Sequence, residues 1–535
     1  MSEQIDAIVI GAGHNGLTAA AYLGRAGLRV LVLERRAVVG GCAVTEEVDP
    51  VLAPGCRVST ASYVASMLRP EVIRDLELAR HGLRMVACDP SVQIALPEGI
   101  VVPWWGAADR CRMELARYSA RDANRFLDLD RELKTLAAYL EPFFMEAPPD
   151  LHATGIARWR EMWRVLRRMH RVSGAELERL MQFLTGSLGD LLEREFESDV
   201  IRRLILANNT YGKHGGPYQS GSSMGLLFHL LSGGEQQAQG FQGHVIGGMG
   251  AITQAMAVAC RSHKVEIRTD APVAQIRVRD GRAMGVVLEN GTEISALTVV
   301  SNCDPKRTFL TLLEPNALEP EFRHAVERIR MAGPAAKVNF VLDREPAVRG
   351  MPASHTPAER SFFTLVPTLR GAEDCYNISA RGDLPADLWV DCVMASNVDP
   401  TLASAGRHML TCFVQYVPYR LNVGTWDQRR EELGDSVVRK IAVYAPGFVD
   451  SIIARRVFTP LDLERTFGIS EGNIFHGDLS LDQLFFMRPL PGWSQYRTPV
   501  DGLYLCGAGT HPGGGVTGAP GHNAAHRILR DLRRQ

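Results

Sequence analysis

Residues 5–34 read IDAIVI (5–10), GAGHNG (11–16), LTAAAYLGRAG (17–27), LRVLVL (28–33) and Glu34. The apolar run Ile5–Ile10 has the pattern of a parallel strand buried on both faces. Gly11-x-Gly13-x-x-Gly16 follows at once, with His14 and Asn15 opening an alanine-rich helix that Gly27 ends at a C-cap position. A second apolar strand then delivers Glu34, 23 positions after Gly11. Each part has a physical role. Gly11 permits the tight turn, Gly13 lets backbone approach a pyrophosphate at the helix N-terminus, Gly16 lets helix pack on strand, and Glu34 accepts a ribose hydroxyl. A lone GxGxxG is weak evidence. The complete order of strand, loop, helix, strand and acid predicts an α/β dinucleotide-binding unit.

The same opening serves NAD and FAD, so later glycines carry the decision. Gly40-Gly41 follows Glu34, Arg35 and Arg36 and offers a second close backbone approach. The stretch GLYLCGAGTHPGGGVTGAPGHNAA (502–525) reads as strand, glycine-rich loop and helix returning to the first unit, which suits a long cofactor with two ends. Only one dinucleotide unit is evident, so no separate NADH domain is expected. Between these segments, residues 265–300 alternate as strands around the turns Asp280-Gly281 and Asn290-Gly291, while 111–235 is helical in pattern and rich in Arg, Leu and Glu.

The 535 residues exceed what one core supports, and 46% hydrophobic with 22% charged content is that of a globular protein. Lys+Arg is 59 against Asp+Glu 60, so no global field favours nucleic acid. Six of the basic residues are lysines, which makes each lysine informative in an arginine-rich chain. The ten cysteines are never closer than fourteen positions, which gives no CxxC and no metal-site spacing. No run of 18 apolar residues exists, and Met1–Gln4 lacks signal-peptide character, so a cytoplasmic chain is expected.

On the motifs GAGHNGL (11–17), LERRAVVGG (33–41), GGMGAITQAMA (247–257), VVSNCDP (299–305), FHGDLSLDQLFFMRP (475–489) and LYLCGAGTHPGGG (503–515), the chain resembles the FAD-dependent phytoene desaturase-like flavoproteins of the amine oxidase superfamily. The motifs run in order over essentially the whole chain. The resemblance implies a Rossmann-like FAD-binding domain assembled from 1–90, 240–310 and 465–535, interleaved with an α+β substrate domain from 91–239 and 311–464. It implies FAD contacts at Gly11, Gly13, His14, Asn15, Gly16, Glu34, Arg35, Gly40, Gly41, Gly248, Met249, Val273, Gly507, Gly515 and Val516.

In such enzymes the flavin takes a hydride from a substrate C–H, and the protein supplies position and electrostatics. Lys337, in a strand (MAGPAAKVNFVLD) before an acidic turn, looks like the lysine that holds a water on flavin N5; the alternative is a strand lysine whose head reaches solvent or a carboxylate. His511 and His476 are candidates at the flavin edge, against a packing role for each. Arg488-Pro489 reads as a structural turn, and Tyr416 and Tyr419 as core aromatics in preference to channel lining.

Amine oxidases usually place a cage aromatic in the last glycine-rich segment, yet 505–535 contains no Phe, Tyr or Trp. That favours dehydrogenation of a hydrophobic, isoprenoid- or lipid-like substrate, with oxygen or a quinone as electron acceptor. A flavin amine oxidase, and an FAD-bound binding or assembly protein without turnover, are the alternatives. Finally, Ile156, Trp159, Trp163 and Leu166 share one face of a helix in 156–171 that also carries six arginines against Glu161. This is the profile of peripheral membrane contact; packing on a neighbouring helix in an arginine-rich protein is the plainer reading, and a homo-oligomer is a separate expectation.

Overall fold

The computed structural model describes residues 5–209, 212, 214–238 and 242–533. Ile5–Ile10 pairs in parallel with Val30–Leu33 on one side (Ala7 opposite Val30) and with Glu293–Ser301 on the other (Ala7 opposite Thr298). Glu266–Arg268 extends the sheet beyond Val30–Leu33, and Leu503–Leu505 lies parallel to Glu293–Ser301. The antiparallel strands Val273–Arg279 and Arg282–Leu288 complete this seven-stranded sheet. Their two-residue turn has Asp280 at φ 51° and Gly281 at φ 74°, the left-handed pair that suits a twisted hairpin.

Small residues set the helix packing on this sheet. His14–Arg25 lies against Ala519–Leu532 and Gly250–Ser262, with Ala19, Ala20 and Ala21 fully buried. A Cβ on Gly16 would fall 2.1 Å from Gly11 O, and one on Gly521 would fall 2.1 Å from Asn15 O. The first and last helices are therefore locked together at glycine.

The second sheet also has seven strands, in the order Ile452–Phe458, Ala335–Leu342, His408–Gln415, Trp389–Met394, Phe362–Leu365, Val92–Leu96 and Ile100–Trp104. It is antiparallel except between Phe362–Leu365 and Val92–Leu96. Alternation of side chains divides its faces. Ala336, Val338 and Phe340 join Trp426, Leu433, Val437 and Ile441 of helix Trp426–Tyr444 in one core. The opposite face carries Lys337, Asn339, Thr411, Gln415, Asp391 and Thr364, all buried. Helices Ala120–Leu140, Gly174–Thr185, Leu188–Glu195, Asp199–Ala207 and Leu369–Ala380 supply a further core beside it. The fold is α/β, with the strands of the Rossmann-like sheet taken from 5–33, 266–301 and 503–505 and those of the α+β part taken from between them. No helix among the described residues is long and apolar enough to cross a membrane.

Candidate cofactor and substrate site

The carboxyl ends of Val30–Leu33, Ile5–Ile10, Glu293–Ser301 and Leu503–Leu505 open on a crevice with about 1070 Å³ of empty space. This is where an open α/β sheet binds ligands. Glu34 and Val273 stand on one side, and Ala508 and His476 on the other. Gly11, Gly13, His14, Asn15, Arg35 and Gly41 line the span between them. Gly11 needs its φ of 94° for the turn. A Cβ on Gly13 would lie 2.9 Å from the Asn302 amide nitrogen, which itself donates to Gly11 O at 3.3 Å.

These residues fit FAD. Helix His14–Arg25 has no side-chain cap, so its first N–H groups face the crevice as an anion site. Asn15 Oδ1 is buried without a hydrogen-bond partner among the described residues. Glu34 accepts from Ala12 N through Oε2 (2.8 Å) and from Arg36 N through Oε1 (3.0 Å), which fixes its carboxylate with further lone pairs available to a ribose. Arg35 donates to the carbonyls of Arg465 and Thr466 and so staples the crevice wall.

The remaining glycine expectations divide. Gly16 and Gly40 do not line the crevice; Gly16 packs on Gly11, and Gly40 donates to Ala12 O at 2.9 Å. Gly507 presses on the Asn302 backbone. Gly515 accepts from His14 Nε2 at 3.0 Å, and Val516 packs on the first core. Gly248 and Met249 are displaced from the crevice for a clear reason. Met249 N donates to Ser59 Oγ at 3.0 Å, Gly250 N donates to Thr45 Oγ1 at 2.9 Å, and a Cβ on Gly248 would meet Thr45 Oγ1 at 2.5 Å.

His511 is buried, whereas His14 and His476, which line the crevice, are half-buried. His14 and His511 are held neutral by burial, each with its pKa near 4. His476, with φ 56°, is likewise lowered by burial and has Nδ1 without a partner among the described residues. His511 is not in the crevice lining; its Nε2 bonds Phe143 O at 2.8 Å, and its ring meets Phe485 edge-on at 5.3 Å. Arg488 is fully buried and donates to the carbonyls of Phe475, Gly477, Asp478, Gln483 and Ala508, a structural clamp on both glycine-bearing loops. Tyr416 donates to Gly215 O among core aromatics, and Tyr419 to Glu464.

Lys337 reaches neither solvent nor a carboxylate. Its Nζ donates to Thr411 Oγ1 at 2.5 Å, Thr411 donates to Asn339 Oδ1 at 2.6 Å, and the ammonium sits 4.8 Å from the Tyr63 ring centroid. Burial brings its pKa to about 7. Tyr63 Oη in turn donates to Asp391 Oδ2 at 3.0 Å, and Thr364 and Trp389 donate to Oδ1 at 3.0 and 3.2 Å. Burial raises Asp391 to about 6 against those donors. Tyr63 stacks on Phe413 at 5.2 Å, and Gly212 lies beside both Phe413 and Ile474, the latter a crevice residue. A group with a pKa near neutrality can take or give a proton at working pH. Sequence reading missed Asn302, Tyr63 and Asp391. The isolated acid in WVDCVM (389–394) was the available signal for Asp391; Tyr63 had none.

The model of the flavin containing amine oxidoreductase family matches residues 16–529. The chain belongs to that family. This flavin oxidoreductase is 38% identical to "pyridine nucleotide-disulfide oxidoreductase domain-containing protein 2" of Rattus norvegicus, over 100% of this chain and 94% of that one. It is 25% identical to "phytoene desaturase (lycopene-forming)" of Pseudescherichia vulneris, over 98% and 99% of the two chains. Putrescine oxidase superposes with a TM-score of 0.56 at 18% identity, over 99% of each chain, which shows the shared fold. The flavin oxidoreductase thus bears out the resemblance read from its motifs, and FAD is its cofactor. Bound in the crevice, FAD supplies the two-electron hydride acceptor; the backbone at Gly11–Gly16, Glu34 and Gly41 would hold and orient it.

Proposed function

We propose that this flavoprotein is a dehydrogenase that introduces a C=C bond into a hydrophobic, isoprenoid- or lipid-like substrate. The observation that carries the reading is the character of the groups about the crevice's Ala508–His476 side. His14 and His476, which line the crevice, have their pKa values lowered by burial, and the glycine-rich loop that follows Leu503–Leu505 brings no aromatic ring. An ammonium substrate needs a cage or a carboxylate there; an apolar chain needs neither. The full-length likeness to a phytoene desaturase points the same way.

Removing two hydrogens from adjacent carbons releases a hydride, which leaves to the cofactor, and a proton, which must leave to a base or water. Lys337, half-neutral near pH 7, is the group we assign to that proton, with Asp391 and Tyr63 holding its surroundings. Oxygen or a quinone then re-oxidises the enzyme.

The test is anaerobic. Holoprotein is mixed with a panel of isoprenoid and fatty-acyl compounds and, separately, with an amine panel. Bleaching of the flavin bands by an apolar compound, with a product two mass units lighter, is expected. Bleaching by amines alone returns the enzyme to amine oxidation, and bands that no compound bleaches make it a binding protein.

A further inference from the structure

Helix Gly155–Met169 is built inside out. None of its residues is buried. At 3.6 residues per turn, the half-buried Glu161, Arg164, Val165, Arg168 and Met169 fall on one face, which rests on the protein. Arg164 and Arg168 pair there with Glu146, and Arg168 also donates to Pro142 O at 2.6 Å. The opposite face presents Ile156, Trp159, Trp163 and Leu166, exposed by 81, 69, 62 and 58%, with Met162 beside them. A surface helix of a soluble protein turns its apolar stripe inward. A contiguous apolar surface turned outward marks a binding face.

The rim of the stripe says what covers it. Arg160 and Arg167 border it on one side by the same helical spacing, and Arg158 is exposed near the start of the helix. None of the three forms an ion pair with an acid among the described residues, and the Arg167 guanidinium lies 5.5 Å from the Trp163 ring centroid. Arg530 of the last helix lines the same groove. A second copy of this chain, joined about a two-fold axis, would set these guanidiniums against one another. A bilayer surface meets both halves of the pattern: its acyl boundary takes Trp, Ile and Leu, and its phosphates take the flanking arginines.

We propose that Gly155–Met169 is an interfacial helix that docks the protein on an anionic lipid surface. The proposal holds whichever substrate is oxidised. The helix is also wired to the cofactor side of the molecule, because the segment it rests on supplies Phe143 O to His511 and Phe144 O to Asn523.

The experiment is co-sedimentation of the FAD-bound protein with phosphatidylcholine vesicles, with and without phosphatidylglycerol, at low and raised salt. Strong uptake by the phosphatidylglycerol vesicles, weakened by salt, is expected. Trp159→Ser with Trp163→Ser should lower partitioning by at least about tenfold, and Arg158→Ser with Arg160→Ser and Arg167→Ser should remove the preference for anionic lipid. Flavin absorbance and melting temperature should not change, since these side chains are exposed. Wild-type protein that stays in the supernatant at low salt overturns the proposal, as does equal binding by both variants. A dimer in light scattering that the tryptophan variant splits, without vesicle uptake, assigns the face to a second copy instead.

Discussion

The crevice at the ends of Ile5–Ile10 and Val30–Leu33 is shaped where glycines let backbone approach, whereas the face of the second sheet that carries Lys337 is built from buried side chains. In the crevice, Gly11, Gly13 and Gly41 leave room for a ligand, and the Glu34 carboxylate is held by two backbone N–H groups. On the sheet face, Lys337, Tyr63 and Asp391 come from three segments far apart in the chain and meet as buried or half-buried side chains. The first kind of site is intolerant of added atoms, and the second is intolerant of changed charge.

Substitutions can test that division directly. Adding atoms to the crevice scaffold should have the largest effect. Gly16→Val drives a Cβ to within 2.1 Å of Gly11 O and should leave little soluble, flavin-bound protein; normal yield and flavin content would remove the distinction. Charge removal on the sheet face should act differently. Lys337→Met is expected to keep FAD while slowing a half-reaction on the order of 100-fold and abolishing a pH inflection near 7, as read by stopped-flow absorbance. Unaltered rates in both half-reactions would assign Lys337 to the scaffold.

Smaller effects should separate the two regions further. Glu34→Ala loses the ribose acceptor and should weaken FAD binding by roughly tenfold, measured by flavin release on dilution. Asp391→Asn removes a negative charge that favours the protonated lysine, so the inflection assigned to Lys337 should move below 7 with FAD retained; an inflection that stays put would uncouple the pair. The buried imidazoles predict a milder, global response. His14 and His511 have folded pKa values near 4, below the ordinary 6.5, so the unfolded chain binds more protons between those values. Their contribution to stability is intact above pH 6.5 and drains away as the pH falls towards 4. Asp391, raised to about 6, works in the opposite direction over 3.8 to 6, but as one group against five histidines lowered to about 4, since His229, His244 and His526 join His14 and His511. The melting temperature should therefore begin to decline below pH 6.5, and a flat profile down to pH 4.5 would count against the buried neutral state.

How much of this could be read from the chain follows the same division. The crevice was legible because its requirements are local: Gly11–Gly16 and Glu34 lie within thirty positions and answer to one ligand. Lys337 was visible as a charge in an apolar strand, and the structure rejects both alternatives for its partner by supplying Thr411 from the neighbouring strand. Tyr63 was not legible, because nothing in its own segment says that it will bridge to Asp391. Gly248 and Met249 do not line the crevice, and their motif marks a helix start where Met249 N and Gly250 N donate to Ser59 and Thr45. His511 looked like a flavin-edge residue from its loop, and its bond to Phe143 turns it towards the neighbouring wall.

The strand Leu503–Leu505 and the helix Ala519–Leu532 have a consequence in time. They complete a sheet and a helix pair that the first 33 residues begin, with Gly521 seated on Asn15 and Gly515 on His14. A ribosome therefore releases the nucleotide-binding loop long before the chain can close around it. The nascent N-terminal unit must wait, incomplete and exposing apolar surface, while some 470 residues are synthesised. Cofactor capture is therefore expected late, once the last strand and helix have docked, and chaperone holding and FAD supply should govern the yield of this enzyme more than the speed of its local folding steps.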